Sequence, residues 1–330
     1  LALSIRSSTC ALEKASARGY VSPVIAARPT LLILHYDGGA FAGWQRQNAA
    51  RTVQGDLEAA LERLVGHRTS VVGAGRTDAG VHALGQAAAA AVGERWEPSD
   101  LVRALNALLP SDVWAASAHR MVLGFNPRRD AIERTYCYRI GLDAGARSPF
   151  RRRYEWALAP RLAPALLAAS AAELVGEHGF RGLSAWGQEK THYRCRVLEA
   201  AWQLREDGTG LEFWITADRF LHRMVRILVG TMVDIARGRR PPSDLSRLLK
   251  ATDNHGASPP APPHGLFLVN VRYPAESYAD RGASSDPPPD DARRAGPRGA
   301  ARAGRSGARA AAHRRPDRGG AAHRDRHRGG

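Results

Sequence analysis

Residues 73–92 read GAGRTDAGVHALGQAAAAAV, and the fold turns on what this stretch does on either side of Asp78. The glycines at 73, 75 and 80 fall as GxGxxxxG, not the GxGxxG of a dinucleotide site, and no Walker lysine follows. Glycines flanking a short polar segment let the backbone turn tightly and let a large ligand come close. Arg76, Thr77 and Asp78 are presented together between them. Taken alone, the segment reads as an ordinary turn, with Asp78 bonding its own backbone and Arg76 facing solvent. The run that follows, Gln86–Val92, is helical by propensity, yet it is short and bounded by Gly85 and Gly93.

Working outward, strand and helix signals mix. Thr30–Tyr36 (TLLILHY) reads as a buried strand ended by the turn Asp37-Gly38-Gly39. Val53, Leu57, Leu61 and Leu64 recur at helical spacing, with Thr52 as N-cap and Gly66 past the end. Ser70–Gly73 is a short strand leading into the glycine-rich loop, and Ser99–Leu109 a helix stopped by Pro110. Thr135–Ile140 has the composition of a strand, and Leu162–Val175 is an Ala/Leu helix. Val197–Leu204 and Leu211–Thr216 are strands joined by the hairpin signal Asp207-Gly208-Thr209-Gly210. Phe220–Ala236 reads as a long helix ending at Gly238, and Leu266–Val271 as a last strand. Two rounds of strands and helices without regular βαβ alternation predict an α+β fold with antiparallel sheet.

Composition narrows the function classes. With 44% hydrophobic and 24% charged residues the chain is globular, and no apolar run approaches a membrane span. Cys10, Cys137 and Cys195 are odd in number and lack CxxC spacing, which speaks against a disulfide framework or zinc site and for a reducing compartment. The twelve histidines form no metal-ligand pattern. The net charge of +16 is uneven: residues 1–28 carry four basic side chains against one acidic, and residues 276–330 thirteen arginines against seven acids. An excess of seven remains in 29–275. Such a balance suits a polyanionic partner by counterion release, or simply a solvated basic surface. Residues 1–28 read as an unstructured extension, with a transit role open. The Pro-, Gly-, Ala- and Arg-rich stretch 276–330 reads as a disordered tail able to add nonspecific RNA affinity.

Two further groups could carry chemistry. Arg223 and Arg226 are three apart on the expected helix, beside an apolar stripe of Phe220, Met224, Ile227 and Leu228. An arginine there can take a carboxylate or phosphate, or face solvent. Tyr136 and Tyr138 alternate on one strand face, as nucleobase-stacking rings or as half-buried core.

Together these blocks carry a resemblance. GRTDAGVHALGQ at 75–86, GWQRQ at 43–47, RTYCYRI at 134–140 and FLHRMVRILVGTM at 220–232 are similar to the signature blocks of the tRNA pseudouridine synthase A family. The similarity runs in the family's order from about Leu31 to Pro274. It implies isomerisation of uridine at positions 38, 39 and 40 of the tRNA anticodon stem-loop, without metal or organic cofactor, by a homodimer; the absent export signal and unpaired cysteines predict a cytoplasmic location. It implies Asp78 as the catalytic aspartate, acting as nucleophile or as proton acceptor. Arg226 is implied as its partner, since a nearby guanidinium favours an ionised carboxylate. Tyr136 is implied to stack on the target uracil, and Arg76 to enter the RNA stem as the uridine flips out. Gln45, Arg46 and Gln47 are implied to lie near the RNA.

The implied fold is α+β, with two similar subdomains (29–128 and 129–275) joining their sheets around a central cleft. It makes Gln86–Val92 a strand, against its propensity. The chain departs from the family pattern at Phe125-Asn126-Pro127-Arg128, where FHAR is usual, and at His178-Gly179-Phe180, where HDF is usual; Arg181–Cys195 matches poorly. The alternative function is a non-catalytic basic tRNA-binding protein or chaperone, indifferent to Asp78→Asn. An N-glycosidase is disfavoured because such hydrolysis normally uses two carboxylates.

Overall fold

The computed structural model describes residues 28–158, 161–185 and 192–280. The expectations for residues 1–27 and 281–330 lie outside these, while the first residues of the expected tail, 276–280, are ordered: Ser277 O accepts from Val122 N at 3.0 Å and Ala279 N donates to Arg120 O at 2.9 Å. Along the chain run β1 (Thr30–Tyr36), α1 (Val53–Val65), β2 (Val72–Gly73), β3 (His82–Ala90), α2 (Pro98–Asn106), β4 (Val113–Arg120) and β5 (Glu133–Gly141). Then follow β6 (Trp156–Ala157), α3 (Pro164–Ala172), β7 (Gly176–Gly179), β8 (Arg194–Leu204), β9 (Gly210–Ala217), α4 (Met224–Ala236), α5 (Asp244–Leu249) and β10 (Leu266–Arg272). The fold is α+β. One mixed sheet has the order β4-β1-β3-β10-β5-β9-β8-β7, with β2 added to β3 and β6 to β5.

β10 is the seam of this sheet. It runs parallel to β3, pairing Phe267 with His82, and antiparallel to β5, pairing Leu268 with Tyr136. Most other pairings are antiparallel, as expected, so the β3–β10 and β5–β6 contacts are what make the sheet mixed. Leu57, Leu101, Leu167 and Leu228 bring four helices into one main core against the sheet. Cys137, Trp214, Phe267 and Val269 form a smaller cluster from alternate strand positions.

The alanine run is a strand. Ala87 and Ala88 are fully buried, paired with Ile33 and Leu32 of β1. Burial on both faces of a central strand overrides local helix propensity, because the gain is tertiary. Small side chains also let the neighbours close in: a Cβ on Gly85 would lie 2.1 Å from the Val269 carbonyl oxygen.

Capping fixes α1 as read. The Thr52 hydroxyl accepts from Gly55 N at 3.3 Å, and Gly66 adopts φ 81°, its N–H returning to Glu62 O. The expected helix over Phe220–Ala236 is shorter than its apolar pattern suggests. It begins at Met224, because Arg223 takes φ 57° and cannot continue a right-handed turn. Phe220 instead packs edge-on against Tyr136, 4.9 Å between ring centroids. Arg223 and Arg226 therefore do not share a helix face.

Candidate active site

The loop 74–80 is held from three sides. The Thr77 hydroxyl meets Tyr36 Oη at 2.8 Å, and Thr77 O accepts from Trp44 N at 3.0 Å. The Gln86 amide donates to Gly75 O at 3.0 Å, and Val81 N donates to Asp78 O at 3.1 Å. Two glycines make this closeness possible. A Cβ on Gly73 would stand 2.6 Å from the Trp44 indole, and one on Gly43 (φ 105°) 2.7 Å from Thr77 O. Gly43-Trp44 thus serves as the clamp under the loop.

Held this way, Asp78 faces a cleft of about 1270 Å³. Arg226 Nη1 donates to Asp78 Oδ2 at 2.8 Å, and Arg226 Nε donates to Ala261 O at 2.7 Å. Two contacts at fixed angles orient the guanidinium, which is largely buried. His222 Nε2 stands 3.6 Å from Asp78 Oδ1, and Arg223 Nε 3.9 Å from Oδ2. The left-handed Arg223 presents these two side chains. A backbone conformation rare outside glycine persists where its surroundings over-determine it, often at functional sites.

Tyr136 forms an apolar wall with Leu266 and Leu268, and its hydroxyl pKa is pushed up to about 12, chiefly by burial. Tyr138, on the same strand face, is fully buried and donates to Pro262 O at 2.9 Å, so it is core. Arg76 is exposed at the cleft and has no hydrogen-bond or ion-pair partner among the described residues. Gln45 lines the cleft while its amide donates to Gln54. Arg46 is half exposed and paired with Glu58 of α1 at 3.0 Å, outside the cleft lining.

The structure thus brings Asp78, Arg226, Tyr136, Arg76 and Gln45 to one cleft and sets Arg46 apart from it. The lining holds seven arginines and two aspartates, a field suited to phosphate. Among the described residues no group of three or more His, Cys, Asp or Glu is placed to hold a metal ion. Sequence reasoning passed over His222 and Arg134, which both stand inside quoted blocks and which only the tertiary structure distinguishes. At the departure from FHAR, Asn126 Oδ1 accepts from the backbone N–H groups of Arg128 and Arg129, making a local turn.

The chain as a whole has known relatives. The chain matches the family model described as tRNA pseudouridine synthase over residues 32–126 and 170–274. It belongs to that family and is an enzyme of the isomerase class. Proteins named tRNA pseudouridine synthase A from Moorella thermoacetica and Syntrophomonas wolfei are 40% and 38% identical to it over 244 and 251 residues. These alignments cover 73% and 74% of this chain and 98% of each relative. One from Cereibacter sphaeroides is 39% identical over 252 residues, covering 75% of this chain and 98% of the relative.

Proposed function

We propose that this enzyme isomerises uridine to pseudouridine at positions 38, 39 and 40 of the tRNA anticodon stem-loop, with Asp78 as the catalytic aspartate. The observation that carries the reading is the 2.8 Å pair between Asp78 and Arg226, set beside the Tyr136 ring in an arginine-rich cleft. Arg226 holds Oδ2, which leaves Oδ1 to meet the flipped nucleotide. Tyr136 offers a face for the uracil, and Arg76 fills the gap that flipping leaves in the stem. Gln45 contacts the nucleotide's surroundings, and Arg46 the phosphate backbone at the rim.

The chemistry balances without a co-reactant. The N1–C1′ bond breaks, the uracil turns, C5 bonds to C1′, C5 loses a proton and N1 gains one. No metal or organic cofactor is required. The same reading divides the chain into a catalytic subdomain (29–128) and a second subdomain completing the cleft (129–275). It makes the enzyme a cytoplasmic homodimer whose two subunits share one tRNA.

Tritium release from tRNA labelled at uridine C5 tests the proposal. The wild-type chain should release label, while Asp78→Asn should bind tRNA and release none. Absence of release by the wild type on every tRNA tried would overturn the enzymatic reading. Activity retained by Asp78→Asn would remove the aspartate's role.

A further inference from the structure

Arg134 begins the RTYCYRI block, two residues before Tyr136 and on the same face of β5. Its guanidinium makes no ion pair with a carboxylate among the described residues; it is spent on backbone carbonyls. Nη1 donates to Asp218 O at 2.7 Å and to Ala131 O at 3.0 Å. Nη2 donates to Arg128 O at 2.7 Å and to Ala74 O at 3.4 Å.

These acceptors belong to the segments that build the cleft. Ala74 follows β2 and lies four residues before Asp78, its own N–H bonded to Ala87 O at 2.8 Å. Arg128 and Ala131 lie on the connection between β4 and β5. Asp218 follows β9 and is stapled to β8, with its N–H donating to Arg196 O and its carboxylate accepting from Arg196 N. From Asp218 the chain enters the Phe220–Arg223 turn and then α4, which carries Arg226. The Asp78 loop and the segment that supplies its partner thus share one planar grip.

We propose that Arg134 is a positioning residue for the isomerisation, fixing the Asp78 loop against the 218–226 segment by bridging their backbones. The inference rests on the function proposed above. A planar guanidinium aims donors in several fixed directions at once. A lysine ammonium keeps the charge but radiates from one point, so it cannot span the same carbonyls.

The test uses the full chain with Arg134→Lys and Arg134→Ala. Small misplacements of reacting groups cost on the order of 100-fold in rate, so single-turnover isomerisation at saturating tRNA should fall by about that factor in both. The dissociation constant for tRNA should stay within about threefold, less than 1 kcal/mol. Guanidinium ion in the millimolar range should partly restore Arg134→Ala and leave Asp78→Asn inactive. Hydrogen exchange should quicken in peptides spanning 74–80 and 218–226 and stay unchanged in α1. A wild-type rate in Arg134→Lys, or a loss confined to tRNA binding, would overturn the proposal, as would exchange quickened throughout. Should Arg134→Ala fail to fold, Arg134→Lys carries the same readouts. Should the wild type itself prove inactive, the function fails, and the exchange pattern still decides whether Arg134 fixes these two segments.

Discussion

Asp78 and Arg226 stand 148 positions apart in sequence and meet at 2.8 Å, one from the loop before β3 and the other from the first turn of α4. Neither side chain alone makes the site. Arg226→Lys preserves charge but gives up the arrangement in which Nε holds Ala261 O while Nη1 holds Asp78. Isomerisation should fall by about 10²–10³, the scale of losing one preorganised electrostatic contact. Single-turnover rates beside tRNA dissociation constants check this, and an equal fall in both quantities would contradict it.

Gly73 and Gly75 lie two residues apart but answer differently to a methyl group. Gly73→Ala drives a Cβ into the Trp44 ring, whereas Gly75→Ala meets nothing within 4 Å. Gly73→Ala should destabilise the protein by about 1–3 kcal/mol through overpacking. Gly43→Ala, strained by its φ of 105° and its approach to Thr77 O, should be at least as severe. Gly75→Ala should stay within roughly 0.5 kcal/mol, typical of surface positions. Urea unfolding curves of the three variants give the comparison.

Acid should weaken the fold through one buried and three half-buried histidines. Burial lowers the pKa of His35, His82, His119 and His264. His82 Nδ1 accepts from Gly38 N, so its Nε2 carries the proton donated to Arg153 O, and the neutral ring is satisfied at both ends. The Asp37 carboxylate, 3.2 Å away, opposes the shift without reversing it. A folded pKa below the unfolded value near 6.5 means the unfolded chain binds more protons. The stabilisation is complete above that value and is lost as pH falls through it, by up to about 1.4 kcal/mol per pH unit for each proton taken up. Urea midpoints should be level from pH 8 to 7 and drop towards pH 5, with a shallower drop in His82→Gln.

With its hydroxyl pushed to about 12, Tyr136 stays protonated across the pH range in which tRNA is handled. Tyr136→Phe should therefore leave the alkaline limb of the single-turnover rate where it is. Tyr136→Ala, which also removes the ring that Phe220 packs on, should lower the rate at every pH. A limb displaced by Tyr136→Phe would show that the hydroxyl titrates.

Elements whose signals are local were readable. Thr52 and Gly66 bracket α1 because capping depends on neighbours a turn away. Asp207-Gly208 joins β8 to β9 because Gly208 supplies φ 68° and the Asp207 carboxylate accepts from Thr209 N. What depends on distant partners was not. No local signal marks Val113–Arg120, an edge strand whose apolar alternation fades after Ala115. The alanines of β3 are strand because β1 and β2 pair with them from either side, which the family resemblance supplied and propensity did not. The start of α4 was misplaced because Phe220 is apolar for the sake of Tyr136 rather than for a helical stripe. At the site, Arg46 shares a block with Gln45 yet stands outside the cleft lining, its guanidinium paired with Glu58 of α1, a partner no local signal marks.

The position of β10 also sets an order of assembly. This strand, Leu266–Arg272, lies between β3 and β5 although it is the last to be synthesised of the strands described. Until it arrives, the growing chain holds β1, β2, β3 and β4 with the His82–Ala83 end of β3 lacking its neighbour, and no strand pairing joins them to β5. An open edge of that kind invites pairing with other chains. Pairings of such long sequence separation also form slowly. The aspartate and its arginine are both translated before residue 266, yet the sheet beside them becomes continuous only with this strand. A chain cut short before residue 266 would therefore keep both residues and lose the strand that makes their sheet one.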